Sequence, residues 1–420
     1  MKKQLIVFIK LICTIYLITI LPQIISQRNK NHNLINLRQP VHQSFDIGGS
    51  CYLQVINKNT KTLLGIENLA NHNKKFSQIK KLRLGIISND PSKKNIDLLL
   101  EKGFKIKKIF LIKTSSLLKY KKIEIFNWEV QKTCLPIKHI ENLDAIIFDI
   151  QDSGLRHDVT FAALLKTMNS AIRNNKQLII TDRPNPLGKC MEGPGDIPLR
   201  HAMTIGEIAI YLNKHNFEKS LNLTVVPLVN WKRDNPLYNI KNNGLFKNIN
   251  SLNLIYSSSF LSILKEIEPI KIHINGKKTF QVILLPNNNN LSEWEIKYFK
   301  NLCSKLGIFC KAYSYWNKNK NINGLKIGVK KNINKFSAFN SLLTIIRFLK
   351  NRKNIKISFS QMFDKKLGDN QTRYFLQNRL SFGELKDRIE NNLKNFYSKT
   401  KDCFLYKPFP QIKKVKILRG

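Results

Sequence analysis

LDAIIFDIQDSGLRHDVTFAALLKTMNSAIRNNKQLIITDRPNPLG, Leu143 to Gly188, is the stretch on which the fold turns. Its first apolar run, ending at Asp149, reads as a short buried strand. Phe161, Leu164, Leu165, Met168 and Ile172 then fall on one helical stripe. QLIIT, from Gln177, is a second buried strand that ends in the charged, proline-stiffened turn DRPNPLG. Strand, helix and strand in this order make a parallel crossover unit.

The same alternation extends both ways. Upstream, KLRLGIISND is a strand ending in polar Ser88, Asn89 and Asp90, NIDLLLEKGF is a helix stopped by Gly103, and KIKKIFLIKTSS is another strand. Downstream, TIGEIAIYLNKH is a helix and LTVVPLVNWKR a strand. The expected fold is therefore α/β, a doubly wound and mainly parallel sheet. SSFLSILKEIE (helix), FQVILLP (strand), LSEWEIKYFKNLCSKLG (helix), GLKIGVKK (strand), FSAFNSLLTIIRFLKNR and SFGELKDRIENNLKNFY (helices) then predict a smaller α/β domain. Ser292 with Glu295, and Ser381 with Glu384, have capping-box spacing. We expect residues 51–281 in the first domain and 282–420 in the second, after a polar linker at 27–50. A chain of 420 residues with 42% hydrophobic residues has material for two cores, and its composition is globular, not disordered.

Residues 1–26 have a basic start at Lys2, Lys3 and Lys10 and an apolar run from Leu11 to Ile25, the order of a secretory signal. An uncleaved anchor is the alternative reading. Both place the folded part outside the cytoplasm, in the periplasm or cell envelope, with membrane contact only through this segment. Six cysteines besides Cys13 are too widely spaced for a disulfide framework or a zinc pattern and read mainly as small core residues.

The 71 Lys+Arg against 28 Asp+Glu give a formal charge of +43, which attracts polyanions in general. The basic residues are spread along the chain beside abundant Asn and Ile, all with AT-rich codons. Coding bias explains that pattern without a nucleic-acid site, and no specific nucleic-acid partner is expected.

In an open parallel sheet the ligand crevice lies beyond the carboxyl ends of the strands. FDIQDSGLR and DRPNPLG sit there. Asp149 and Asp152 offer two carboxylates for acid and base work or for holding sugar hydroxyls, with a helix cap and a pair to Arg156 as the structural alternative. Asp182 and Arg183 are fixed by the rigid turn, and His201, beside Arg200, is a proton donor or a hydrogen-bonding residue. Thr204 and Glu207 form a capping box, with Met203 and Ile208 placed as its hydrophobic staple. Walker, dinucleotide-binding, serine hydrolase and zinc protease motifs are all missing from the sequence.

FDIQDSGLR, DRPNPLG, EGP at Glu192 to Pro194 and IPLRHAMTIGE at Ile197 to Glu207 together resemble the NamZ family of exo-β-N-acetylmuramidases. Weaker similarity is carried by LLGIENL, GIISND, GLKIGVK, FDKKLGD and SFGELKDRI. The resemblance implies a Rossmann-like domain joined to a smaller α/β domain, and removal of terminal N-acetylmuramic acid from peptidoglycan fragments without metal or organic cofactor. It implies that Asp149, Gln151, Asp152, Arg156, Asp182, Arg183, Asn185, Arg200 and His201 line or support the cleft. Asp149, Asp152 and His201 are the catalytic candidates, and Gln151, Arg156, Asp182, Arg183, Asn185 and Arg200 the substrate-binding ones.

The sequence departs from the family pattern in three places. Lys113 stands where the family's catalytic Glu is expected, and an ammonium cannot supply a carboxylic acid proton. The Gly-Arg-Gly-containing segment expected near Tyr256 to Phe280 is not recognisable, and tyrosines expected after FDIQD are replaced around His157 and Asp158. Glu124 or Glu129 is a candidate replacement acid. Three functions follow: an exported glycosidase, a muropeptide-binding protein without catalysis, and a basic polyanion-binding protein.

Overall fold

The crossover unit around Asp149 forms the middle of a six-stranded sheet in the computed structural model. The structure describes residues 62–71, 76–89, 93–112, 120, 122–234, 252–275, 280–284, 291–317, 320–329, 336–352 and 355–417. The expected leader and linker, Lys113 and the NNNN run lie outside the described residues.

In chain order the first part contains α1 (Gly65–Asn71), α2 (Ser77–Lys81), β1 (Leu84–Ser88), α3 (Lys94–Glu101), β2 (Ile106–Leu111), β3 (Glu124–Asn127), β4 (Ala145–Asp149) and α4 (Val159–Arg173). It continues through β5 (Gln177–Thr181), β6 (Cys190–Met191), α5 (Ile205–His215) and β7 (Leu223–Val226). The sheet order is β3-β2-β1-β4-β5-β7, and every neighbouring pair is parallel. All residues of β1 and β4 are buried, which explains their continuous apolar runs: strands covered on both faces do not alternate with polar residues.

Alternate residues of β4 feed opposite layers. Ile146 and Phe148 pack with Phe161, Leu164 and Met168 of α4 and Ile208 of α5. Ala145 and Ile147 pack with Ile66 of α1, Ile79 of α2, and Ile96 and Leu99 of α3. The sheet is thus doubly wound, as expected. Asp158 caps α4 by accepting from Thr160, and Gly103 ends the α3 turn at φ 83. The strand read through LTVVPLVNWKR stops at Val226 because Pro227 has no N–H for the ladder, though Val229 resumes a bridge to Leu63.

The second part contains α6 (Leu252–Leu264), β8 (Ile267–Glu268), β9 (Lys271–Asn275), β10 (Phe280–Leu284), α7 (Glu293–Lys305), β11 (Ile308–Asn317), β12 (Lys320–Val329) and α8 (Ala338–Lys350). After these come β13 (Ser358–Phe359), α9 (Gln361–Leu367), α10 (Gln371–Leu376), α11 (Phe382–Thr400) and β14 (Gln411–Ile412). Strands β11-β12-β10-β9 form an antiparallel sheet, of which β9 and β11 escape the sequence reading. Both capping boxes, at Ser292/Glu295 and Ser381/Glu384, are formed.

One apolar cluster takes in Phe148 of the parallel sheet, Phe260 of α6, Ile327 of β12, Phe339 of α8 and Leu393 of α11. The chain then returns to the first part, where β14 pairs in parallel with β6 as a separate two-stranded sheet. Of the described cysteines, Cys303, Cys310 and Cys403 are buried, Cys190 is half-buried and Cys134 is exposed.

Candidate functional site

The strand order reverses between β1 and β4, so their carboxyl ends open the crevice that this topology provides. Asn89, just beyond β1, crosses it: Nδ2 donates to the Gln151 carbonyl at 3.1 Å and Oδ1 accepts from the Gln151 N–H at 3.2 Å. Gln151 in turn donates from Nε2 to the carbonyls of Asp152 and Pro184, both at 2.8 Å. The loops after β1, β4 and β5 are therefore bound into one wall.

Most of the charged residues read from the sequence are engaged inside that wall. Asp149 receives Arg183 in a bidentate pair, Nε to Oδ1 at 2.9 Å and Nη2 to Oδ2 at 2.6 Å. Thr181 and Asn95 complete its shell at 2.8 and 3.1 Å. Neither partner is more than 3% exposed, so both acceptor oxygens of Asp149 are used in orienting Arg183.

Asp182 accepts from the Arg183 and Gly206 N–H groups at 2.9 and 2.8 Å, and from the Thr204 and Tyr406 hydroxyls at 2.8 and 2.6 Å. Burial pushes its carboxyl up to about 6; hydrogen bonds from Tyr406, Gly206 and Thr204 act against this, and Glu207 adds to it. Asn185 donates to the Met203 carbonyl at 2.8 Å and accepts from Leu187 N–H at 2.9 Å. Arg200 pairs with buried Glu192 and donates to the Leu187 carbonyl at 2.7 Å. Glu192 also accepts from Ser337 and from Ala338 N–H, at the start of α8, so this pair ties the segment after β6 to the second part.

Asp152 differs from these. Its Oδ2 accepts from Gly154 N–H at 2.9 Å and stands 3.6 Å from His201 Nε2, while Oδ1 is buried without a partner. His201 Nδ1 accepts from Met203 N–H at 3.2 Å, which assigns the ring hydrogen of the neutral form to Nε2, on the side of Asp152. The turn that brings this N–H to the ring passes through Ala202 in the left-handed region, at φ 59. Arg233 holds the turn by donating to the Ala202 carbonyl. A non-glycine residue at positive φ stores strain that surrounding contacts must support.

Unpartnered buried side-chain atoms concentrate on the same loop: Gln151 Oε1, Asp152 Oδ1, Ser153 Oγ, Arg156 Nε and His157 Nδ1. Each such atom costs about 1–3 kcal/mol when left unsatisfied. Their concentration between Gln151 and His157 makes this loop the candidate place for a polar ligand or water. Asp152 is the carboxylate with a free oxygen there, and a carboxylate so placed can exchange a proton or act as a nucleophile.

Glu124 opens β3 at the far end of that strand from the crevice and pairs with Lys108 at 2.8 Å. Glu129 lies beyond the carboxyl end of β3, exposed and paired with Lys132 at 2.6 Å. Sequence reasoning missed Asn89 as a bridge, Tyr406, and the buried pair of Arg233 with Glu207. Glu207 does form the capping box read for it, and additionally accepts from Arg233 and Leu405 N–H. The only local signal for Arg233 was its position after an apolar run; nothing near Tyr406 pointed to Asp182.

Two family models match. Exo-beta-N-acetylmuramidase NamZ, N-terminal, covers residues 101–245, and Exo-beta-N-acetylmuramidase NamZ, C-terminal, covers residues 305–406. The peptidoglycan beta-N-acetylmuramidase NamZ of Bacillus subtilis (strain 168) is 38% identical over 107 residues, 22% of this chain and 26% of the relative. The chain thus matches about a quarter of the curated relative's length. Two crystal structures of DUF1343 family proteins from Bacteroides fragilis NCTC 9343 share the fold. One has a TM-score of 0.68 and 19% identity over 83% of this chain and 99% of that one, and the other 0.59 and 20% over 84% and 100%.

Proposed function

The chain belongs to the NamZ family, and from that premise we propose that it is a peptidoglycan exo-β-N-acetylmuramidase releasing terminal N-acetylmuramic acid. The observation that carries the reading is the Asp152–His201 pair, set among unpartnered polar atoms at the carboxyl end of β4. Asp152 presents Oδ1 to the sugar, while Gly154 N–H holds the other oxygen and His201 Nε2 stands 3.6 Å from it. Gln151 and Arg156 supply a free acceptor and a free donor to sugar hydroxyls and acidic groups. Asp149, Asp182, Arg183, Asn185 and Arg200 act from behind, by fixing the loops that carry these groups.

Glycosidic cleavage requires a proton for the leaving oxygen and a second carboxylate, or a water it activates, at the anomeric carbon. Asp152 fills one of these roles. Digestion of soluble peptidoglycan fragments, with free N-acetylmuramic acid detected by mass spectrometry, tests the assignment. Absence of that sugar at any enzyme concentration would remove it.

A second reading, a muropeptide-binding protein without catalysis, is motivated by Lys113 at the expected acid position. A Lys113→Glu variant that cleaves fragments left intact by the native chain would favour it. The basic, then apolar, residues 1–26 support export to the periplasm or cell envelope.

A further inference from the structure

Four consecutive residues near the carboxyl end of the chain, Leu405 to Pro408, all bind buried charged groups around the His201 turn. Leu405 N–H donates to Glu207 Oε1 at 2.7 Å, and the Tyr406 hydroxyl donates to Asp182 Oδ2 at 2.6 Å. The carbonyls of Tyr406, Lys407 and Pro408 accept from Arg233, through Nη2 at 3.2 Å, the backbone N–H at 3.2 Å and Nε at 3.0 Å. The third guanidinium nitrogen, Nη1, holds the Ala202 carbonyl.

His201 opens that turn. Its Nδ1 accepts from Met203 N–H, a group that can only donate, so the hydrogen of the neutral ring lies on Nε2, 3.6 Å from Asp152 Oδ2. Three side chains hold the turn from Ala202 to Gly206. Arg233 takes the Ala202 carbonyl, Asn185 the Met203 carbonyl, and Asp182 both the Thr204 hydroxyl and Gly206 N–H. Two of these three, Asp182 and Arg233, are the groups that the segment from Leu405 to Pro408 engages. Leu228 N–H donates to the Tyr406 hydroxyl oxygen at 2.9 Å, and burial beside Asp182 pushes the phenol well above its ordinary range. The hydroxyl therefore keeps its hydrogen and gives it to Asp182. Trp231 packs edge-on against the ring, with centroids 4.9 Å apart, and fixes its place.

We propose that Tyr406 is a positioning residue of the site: through Asp182 and Arg233 it sets the turn that directs His201 Nε2–H towards Asp152. The inference rests on the reading of Asp152 and His201 in the preceding subsection and extends it to a residue far along the chain. Tyr406 touches neither His201 nor the loop after β4 in the bonds described, so it acts only through the turn. Charge-assisted hydrogen bonds such as that from the hydroxyl to Asp182 are the stronger kind, and their loss frees the groups they hold.

Nitrogen-15 NMR of the imidazole rings in the full chain tests this without requiring turnover, with His201→Gln assigning the His201 signals among the eight histidines. At a pH where the ring is neutral, the native protein is expected to carry the hydrogen on Nε2. In folded Tyr406→Phe, which keeps the ring against Trp231 and loses the hydroxyl, the Nδ1 signal moves towards the protonated value as the ring samples its other tautomer. Arg233→Lys keeps a charge facing Glu207 but gives up the fork to the carbonyls, and shifts the signal in the same direction. An unchanged His201 ring in whichever of these variants folds overturns the proposal, since a residue that only stabilises the fold would lower the melting temperature and leave the ring alone. A native ring with its hydrogen on Nδ1 overturns it with no variant needed. Kinetics supply the second arm: kcat for sugar release by Tyr406→Phe is expected to fall about ten- to a hundredfold, with KM little changed, the scale of a small misplacement of a reacting group. Undiminished kcat in the folded variant counts against the proposal. A shifted ring in a chain that releases no sugar leaves the positioning role standing and removes the hydrolase reading. Sugar release with an unshifted ring in the variant does the reverse.

Discussion

Asp149 and Arg183 close a buried bidentate pair across the carboxyl ends of β4 and β5, with Nε–Oδ1 and Nη2–Oδ2 distances of 2.9 and 2.6 Å. A buried pair of this kind is costly to halve, because the surviving charge has no water to turn to. Asp149→Asn is expected to lower stability by about 3–5 kcal/mol, read as a fall in the urea midpoint with an unchanged slope. A loss below about 1 kcal/mol would place the pair among surface-like contacts.

Arg233 and Glu207, both 0% exposed, make the corresponding pair on the other side of the turn at His201. Arg233 also accepts the task of holding the Ala202 and Tyr406 carbonyls. Arg233→Met should cost a similar ~3–5 kcal/mol, and should reduce turnover more than Asp149→Asn does, because the strained turn sets the His201 ring. Thermal melting and steady-state kinetics on the same preparation separate the two effects.

Gly154 follows Asp152 and Ser153 at φ 81, and a Cβ there would stand 2.2 Å from Asn185 Oδ1. Gly154→Ala therefore combines an unfavourable backbone region, worth about 1–2 kcal/mol, with displacement of a fully engaged amide. The expected outcome is a destabilised protein whose turnover falls further than its folded fraction. Normal kinetics in this variant would show that the loop's path is not coupled to Asp152.

Asp182 provides a pH test. Its carboxyl is raised by burial to about 6 from an ordinary 3.8. The folded state then binds a proton that the unfolded state has released, so this contribution to stability is present below pH ~4 and is lost as pH rises through ~6. Asp369 is raised to about 6 as well, again mainly by burial, and acts in the same window. Comparison with Asp182→Asn isolates the first. The stability of the unaltered protein relative to the variant should fall across pH 4–6, by up to about 3 kcal/mol, and level off above it. A flat difference would contradict the assignment.

The parallel sheet was legible because its signals are local. Apolar runs such as AIIFD and QLIIT, the Phe161–Ile172 stripe and the capping residues Thr204, Ser292 and Ser381 each lie within a single element. Strand β11 was not: IFCKAYSYWN mixes Lys, Ser and Asn with aromatics, a pattern that an antiparallel edge tolerates and a buried parallel strand does not. The residue types of the candidate site were also legible, since they crowd the strand ends. Which atoms are already engaged is a tertiary fact. Asp182 meets Tyr406 and Glu192 meets Ser337 across long stretches of chain, and no spacing in either segment announces the partner.

Asp152 is the carboxylate of the loop after β4 whose second oxygen is left without a partner, and the proposed function stands on it. The most direct measurement is kcat for release of N-acetylmuramic acid from a chromogenic β-N-acetylmuramide, by the native chain and by Asp152→Asn at equal folded concentration. The account predicts measurable release by the native chain and at least a hundredfold lower kcat in the variant, an order of magnitude expected for loss of a positioned acid or base. Equal turnover by the two, or none from the native chain, would contradict it.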